Sequence, residues 1–101
     1  TTPVLLDGFS HHIRTRETNL GNLVCDALRE HMKADVALVQ AGTFRGDDVL
    51  GPTILMKDLF SMFPYTDTVV SKLVPGRTLV AALEAGVSRI PAHEGCFPQV
   101  S

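Results

Sequence analysis

Apolar residues recur at three- and four-residue steps from Asn19 to Met32, where Leu20, Leu23, Val24, Ala27, Leu28 and Met32 share one face. That spacing predicts an amphipathic helix. Thr18 stands just before it as the natural N-cap, since its hydroxyl can accept from an orphan backbone N–H. The same period returns from Thr78 to Ile90 through Leu79, Val80, Ala82, Leu83, Val87 and Ile90, with Pro91 as the stop. Ile54 to Phe63 suits a shorter helix closed by Pro64.

Between these segments the period changes. Asp35 to Val39 ("DVALV") is short and nearly all apolar, which predicts a strand covered on both faces, and it runs into "QAGTFRGDD", which has no period and reads as a loop. Thr68 to Val74 ("TVVSKLV") is β-branched and predicts a strand before the Pro75-Gly76 turn. Pro3 to Leu6 predicts a brief strand ended by Asp7-Gly8, and Cys96 to Ser101 ("CFPQVS") reads as a last strand with neither a partner nor a turn behind it. Alternating strands and helices argue for an α+β fold, a mixed β-sheet flanked by helices, with Thr68 to Val74 free to run antiparallel.

A chain of 101 residues buries only one modest core, so residues 1–101 form one domain or part of one. A hydrophobic share of 45% and a charged share of 20% are those of an ordinary globular protein. A formal net charge of -2 supplies no field to hold a polyanion. Nucleic acid polymers are therefore poor partners, and any bound anion must be met by a few placed arginines. No apolar run approaches the roughly 18 residues of a membrane span. Thr1 to Ser10 has neither the basic start nor the apolar centre of a signal peptide, so any targeting segment would lie outside this chain, which reads as a fragment. Of the two cysteines, Cys25 falls in the apolar pattern of a helix and is more simply a buried thiol than half of a bridge to Cys96.

No catalytic set stands out. Two-metal hydrolysis needs several convergent His, Asp and Asn ligands. Here His11 and His12 are adjacent, pointing opposite ways in an extended segment, and His31 sits towards a helix end, so the histidines read as surface residues. There is no G-x-S-x-G elbow, no P-loop and no G-x-G-x-x-G. Neither cysteine has an evident activating base.

Three clusters invite ligand chemistry instead. In "RTRETNLGN", Arg14 and Arg16 share one face of an extended segment leading to a helix N-terminus, a setting that favours an anion such as phosphate. The alternative is that Glu17 pairs with one arginine and both are merely solvated. In "QAGTFRGD", a turn of small residues, Ala41 and Gly42, lets backbone approach a ligand while Arg45 offers a fork of donors; the alternative is an ordinary loop. Arg45-Gly46-Asp47 also spells the tripeptide of adhesion ligands, which would require a protruding loop. In "FPYTD", Pro64 fixes the backbone just before Tyr65 and can present that ring to a flat ligand, whereas Phe63 belongs to the apolar helical pattern.

Taken in order, "RTRETNLGNLVCDAL", "ADVALVQAGTFRGD", "DLFSMFPYTDTVV", "LVPGRTLVAALEAGVS" and "GCFPQVS" resemble the C-terminal domain of the 5'-nucleotidase and UDP-sugar hydrolase family across nearly the whole chain. The resemblance implies a nucleotide-recognition domain that works beside an N-terminal metallophosphoesterase domain of the same parent protein, which holds two divalent metals such as zinc or manganese. It implies that Arg14, ahead of E-x-N-x-G-N, meets the substrate phosphate. Arg45, ending the N-G-G-x-x-R loop, would bind substrate as well. Tyr65, at the aromatic after proline, would stack on the base. Gln40 and Ala41 stand where that loop usually has Asn and its first Gly, and Gly42 keeps the second. The family's other stacking aromatic and its "GGDG"-type loop are absent from the chain, as are the metal-ligand signatures. The resemblance thus implies a truncated domain, without hydrolytic activity of its own, from a secreted, periplasmic or cell-surface parent. The alternative is a structural or adhesive module displaying Arg45-Gly46-Asp47.

Overall fold

The computed structural model describes all residues, Thr1–Ser101. In chain order the elements are β1 (Leu6–Asp7), α1 (Ser10–Ile13), α2 (Asn19–Met32), β2 (Leu38–Gln40), a 3-10 turn (Ala41–Thr43), β3 (Val49–Leu50), α3 (Met56–Met62), α4 (Gly76–Val87) and β4 (Pro98–Val100). The expected α+β class holds. Its sheet differs from the expectation: two separate two-stranded ladders, β1 with β3 and β2 with β4, both antiparallel, replace one mixed sheet.

α2 forms where the apolar period placed it. Thr18 takes an extended conformation and its hydroxyl accepts from the Gly21 N–H at 3.1 Å. At the other end Lys33 adopts the left-handed region, φ 52°, which turns the Ala34 N–H back to the Arg29 carbonyl at 3.0 Å. α3 starts two residues later than expected, where Asp58 accepts from the Leu55 N–H at 2.8 Å and so occupies one donor left over at the helix start.

The core is small. Leu6 from β1, Ile13 from α1, Leu20 from α2, Ala41 and Phe44 from the loop after β2, Leu50 from β3 and Met62 from α3 form its single buried cluster. Phe44 is the largest of these side chains, 1% exposed, and its ring meets half-buried Phe63 at 5.2 Å between centroids. α4 contributes no side chain to the cluster. It meets the rest of the fold through Gly86, buried against Pro98 and the Cys96 carbonyl, with the apolar Val80 and Val87 exposed.

Three further expectations change. Thr68–Val74 is not a strand: it has no ladder partner, and Val69, Val70, Leu73 and Val74 are exposed, so β-branched composition alone did not make a sheet. β2 is not covered on both faces, since Leu38 is exposed at 42%. The C-terminal segment does have a partner, because Leu38, Val39 and Gln40 pair with Val100, Gln99 and Pro98. Both cysteines are free, Cys25 buried and Cys96 exposed.

Candidate functional site

A buried ring and a half-buried one position two exposed side chains. Phe44 precedes Arg45 and Phe63 comes two residues before Tyr65, so the Phe44–Phe63 contact in the core fixes where the following residues emerge. The Arg45 N–H adds a bond to the Met62 carbonyl at 2.8 Å. At the surface the Arg45 guanidinium carbon then lies 5.5 Å from the Tyr65 ring centroid, within cation–π range. Tyr65 is 61% exposed, so its ring remains open to a ligand.

The β2–β4 ladder supplies the opposite wall. Past the ladder, the Ala41 N–H donates to the Phe97 carbonyl at 2.8 Å and the Gly42 N–H to the Gly95 carbonyl at 2.9 Å. The two glycine backbones touch: a Cβ added at Gly42 would come within 3.2 Å of the Gly95 Cα, and one at Gly95 within 3.0 Å of the Gly42 Cα. Glycine at both positions is what lets the two chain segments close together.

The result is an open depression of about 410 Å³ lined by Gln40, Gly42, Arg45 and Tyr65 together with Thr43, Asp67, Gly95 and Cys96. Its volume falls in the range of small-ligand sites, about 300–1,000 Å³. Four of the five residues singled out from sequence are therefore brought together here. Thr43 and Asp67 were missed although they lie inside "QAGTFRGD" and "FPYTD". Gly95 and Cys96 carry no local signal, since only the long-range β2–β4 pairing delivers them. Asp67 lines the same depression but makes no ion pair with Arg45, so the guanidinium is not directly paired with a carboxylate.

Arg14 does not line that depression. It sits at the end of α1 in a helical conformation rather than in an extended segment, and its Nη1 donates to the His93 carbonyl at 3.4 Å. Its guanidinium thus reaches the loop that, two residues on at Gly95, borders the depression. Arg14 Nε is shielded from solvent without a hydrogen-bond partner. Glu17 pairs with neither arginine, accepting instead from Asn22 Nδ2 at 2.8 Å. Arg16 is exposed and forms no ion pair.

The histidines lie at the surface as expected, His11, His31 and His93 exposed and His12 partly so, but His11 and His12 are not in an extended segment. His11 and His12 lie in the helical turn of α1 with ring centroids 4.4 Å apart, and His12 Nδ1 meets Asp7 Oδ2 at 2.8 Å. His11 stacks on His93 at 5.2 Å. No group of three or more His, Cys, Asp or Glu side chains in the chain converges as a metal site.

Nor does Arg45-Gly46-Asp47 protrude. Arg45 is tied to Met62 through its backbone, Gly46 packs on Met62, and Asp47 Oδ1 accepts from the Ser10 N–H at 2.8 Å, holding the start of α1. A larger groove of about 580 Å³ runs between the end of α2, the Ala34–Leu38 segment and Val69–Val74. Its lining is mostly apolar, and it lacks the convergence of glycine backbone, guanidinium and open aromatic ring seen around Arg45.

Comparison with known proteins agrees with this architecture. Residues 1–101 match the family model described as "5'-nucleotidase, C-terminal domain". The chain is 34% identical to the trifunctional nucleotide phosphoesterase protein YfkN of Bacillus subtilis over 99% of its own length and 7% of that protein's. It is 32% identical to the human 5'-nucleotidase over 98% of its length and 19% of that protein's. In three dimensions it superimposes on the 5'-nucleotidase precursor of Thermus thermophilus with a TM-score of 0.84 and 30% identity, covering 99% of this chain and 20% of that one. The chain spans at most about a fifth of each of these relatives. By family match, by sequence and by fold, it belongs to the 5'-nucleotidase C-terminal domain family.

Proposed function

We propose that residues 1–101 are part of the substrate-recognition domain of a nucleotide phosphohydrolase, with the base and sugar received at Gln40, Gly42, Arg45 and Tyr65. One observation carries the reading: a guanidinium with no ion-pair partner and an open aromatic ring stand 5.5 Å apart at the mouth of a glycine-walled depression. A ring face takes a base by stacking, contributing on the order of 1–3 kcal/mol, and is tolerant of which base it is. Arg45 offers charge-assisted bonds to ribose or phosphate oxygens. The Gln40 carboxamide is both donor and acceptor, suited to the edge of a base or to a sugar hydroxyl. Arg14, which contacts the same loop through His93, would meet the phosphate.

Hydrolysis belongs elsewhere in this reading. The residues of this chain do not fit a pair of divalent metals such as zinc or manganese, for no carboxylate or imidazole set converges. Those metals would be held by an N-terminal metallophosphoesterase domain of the same parent protein, and no hydrolytic step is assigned to residues here. The adhesive alternative loses ground because the Arg45 backbone, Gly46 and the Asp47 carboxylate are each engaged with the body of the domain.

Titrating AMP into isotope-labelled chain while following amide resonances tests the site. Shifts confined to residues 13–16, 40–45, 65–67 and 93–96 are expected, and shifts confined to the groove at Val69–Val74 would refute the assignment. The purified chain supplied with zinc or manganese should show no phosphomonoester turnover.

A further inference from the structure

Gln99 lies in β4 with its side chain turned inward, 1% exposed. Its carboxamide does not serve the ladder. Nε2 donates to the Arg16 carbonyl at 2.7 Å and to the Ile13 carbonyl at 2.9 Å, while Oε1 accepts from the Thr18 N–H at 3.3 Å. These backbone groups bracket the turn that carries Arg14 from the end of α1 to the start of α2. Two acceptors and one donor of that turn are met by one side chain, and only a carboxamide combines two donors with an acceptor without charge.

The surroundings are shaped to admit it. Gly21, in the first turn of α2, lies where an added Cβ would fall 2.5 Å from Gln99 Cδ and 2.8 Å from Cγ. The glycine of "NLGN" and the glutamine of "FPQVS" therefore form one device. The C-terminal segment also holds Arg14 at its other end, through the His93 carbonyl. Backbone and guanidinium are each fixed by residues 93–99.

We propose that Gln99 is a positioning residue for Arg14: its buried carboxamide locks the Ile13–Thr18 turn so that the guanidinium is set in place before a phosphate arrives. The inference rests on the reading of Arg14 as the phosphate contact. Pre-setting matters because a loose side chain must be ordered on binding, at a cost to affinity.

The test uses the 101-residue chain itself, with AMP and adenosine as probes, since adenosine lacks only the phosphate. In Gln99→Met, which keeps the volume and removes the amide, the Arg16 and Thr18 amides should exchange about tenfold faster while those of Val24–Leu28 in α2 do not change. Arg14 Nε–Hε should relax as a mobile group. The preference for AMP over adenosine should fall severalfold with adenosine affinity unchanged, and combining Gln99→Met with Arg14→Ala should add nothing to Arg14→Ala alone. Gln99→Glu, which keeps the length but cannot donate when ionised, should behave alike.

Equal losses for AMP and adenosine, or unchanged Arg14 relaxation in Gln99→Met, would overturn the positioning role alone. An AMP preference that survives Arg14→Ala would overturn the phosphate reading and the proposal with it. One readout needs no variant: in the wild-type chain the Gln99 carboxamide protons should exchange far more slowly than those of exposed Gln40. Equal rates would refute the lock.

Discussion

The Arg45 guanidinium carbon stands 5.5 Å from the centre of the Tyr65 ring, and the pair is exposed while the neighbouring Phe44 is buried. Anchors in the core and ligand groups at the surface are thus adjacent in sequence. Removing the ring should weaken nucleotide binding by about 1–3 kcal/mol, the usual worth of a base stacked on an aromatic side chain. Tyr65→Phe should retain most of it. Isothermal calorimetry with AMP checks both, and a Tyr65→Ala variant that binds as the wild type does would remove Tyr65 from the site.

Core and site should separate when Phe44 is truncated. Phe44→Ala deletes the largest side chain of a small cluster and should cost about 3–5 kcal/mol in urea unfolding. Leu73→Ala, at a fully exposed apolar residue, should stay within about 0.5 kcal/mol. Similar losses for the two would mean that the apolar 69–74 segment is packed in solution.

Cys25 gives a dependence on pH. Burial pushes its thiol above the ordinary value of 9.0, helped by the charge of Asp26 and opposed by a backbone hydrogen bond at Val39. The folded chain therefore holds this proton more tightly than the unfolded chain. That contribution is fully present below pH 9.0 and is lost as pH rises above it towards the folded value. Unfolding midpoints should fall more steeply above that pH in the wild type than in Cys25→Ala. With a thiol reagent, exposed Cys96 should react first and Cys25 only as the domain opens.

Gly21→Ala sets two effects against each other. Alanine favours a helix by about 1 kcal/mol over glycine. Its methyl group would collide with a Gln99 side chain pinned by three hydrogen bonds, and overpacking of this kind costs about 1–3 kcal/mol. We expect the collision to win, with a net loss of up to about 2 kcal/mol by chemical denaturation, because Gln99 has nowhere to move without breaking the Ile13–Thr18 turn. A stabilised Gly21→Ala would show that turn to be loosely held.

What was legible in the sequence follows from the range of the interactions involved. α2 was readable to the residue, because its period, its Thr18 cap and its end are local. Gln40, Gly42, Arg45 and Tyr65 were readable as two short clusters, though not as one depression, because the Phe44–Phe63 contact that joins them spans nineteen positions. Thr68–Val74 misled because propensity cannot say whether a strand finds a partner. The pattern "SHHI" has no helical period and so points to an extended segment at Arg14, yet Asp47, thirty-seven residues from Ser10, accepts from the Ser10 N–H and holds that turn. Gln99 went unnoticed for the same reason: its partners lie more than eighty residues back along the chain.

Tyr65 is the chain's only tyrosine and there is no tryptophan, so its intrinsic fluorescence reports on the site alone. The most direct measurement is an AMP titration of that emission, corrected for absorbance, in the wild type and in Arg45→Ala. We expect a saturable change with a dissociation constant on the order of 1 mM, as one stacked base and a few charge-assisted bonds would give, weakened roughly tenfold in Arg45→Ala. Emission that does not respond to AMP in the wild type, or responds identically in Arg45→Ala, would contradict nucleotide recognition at this site.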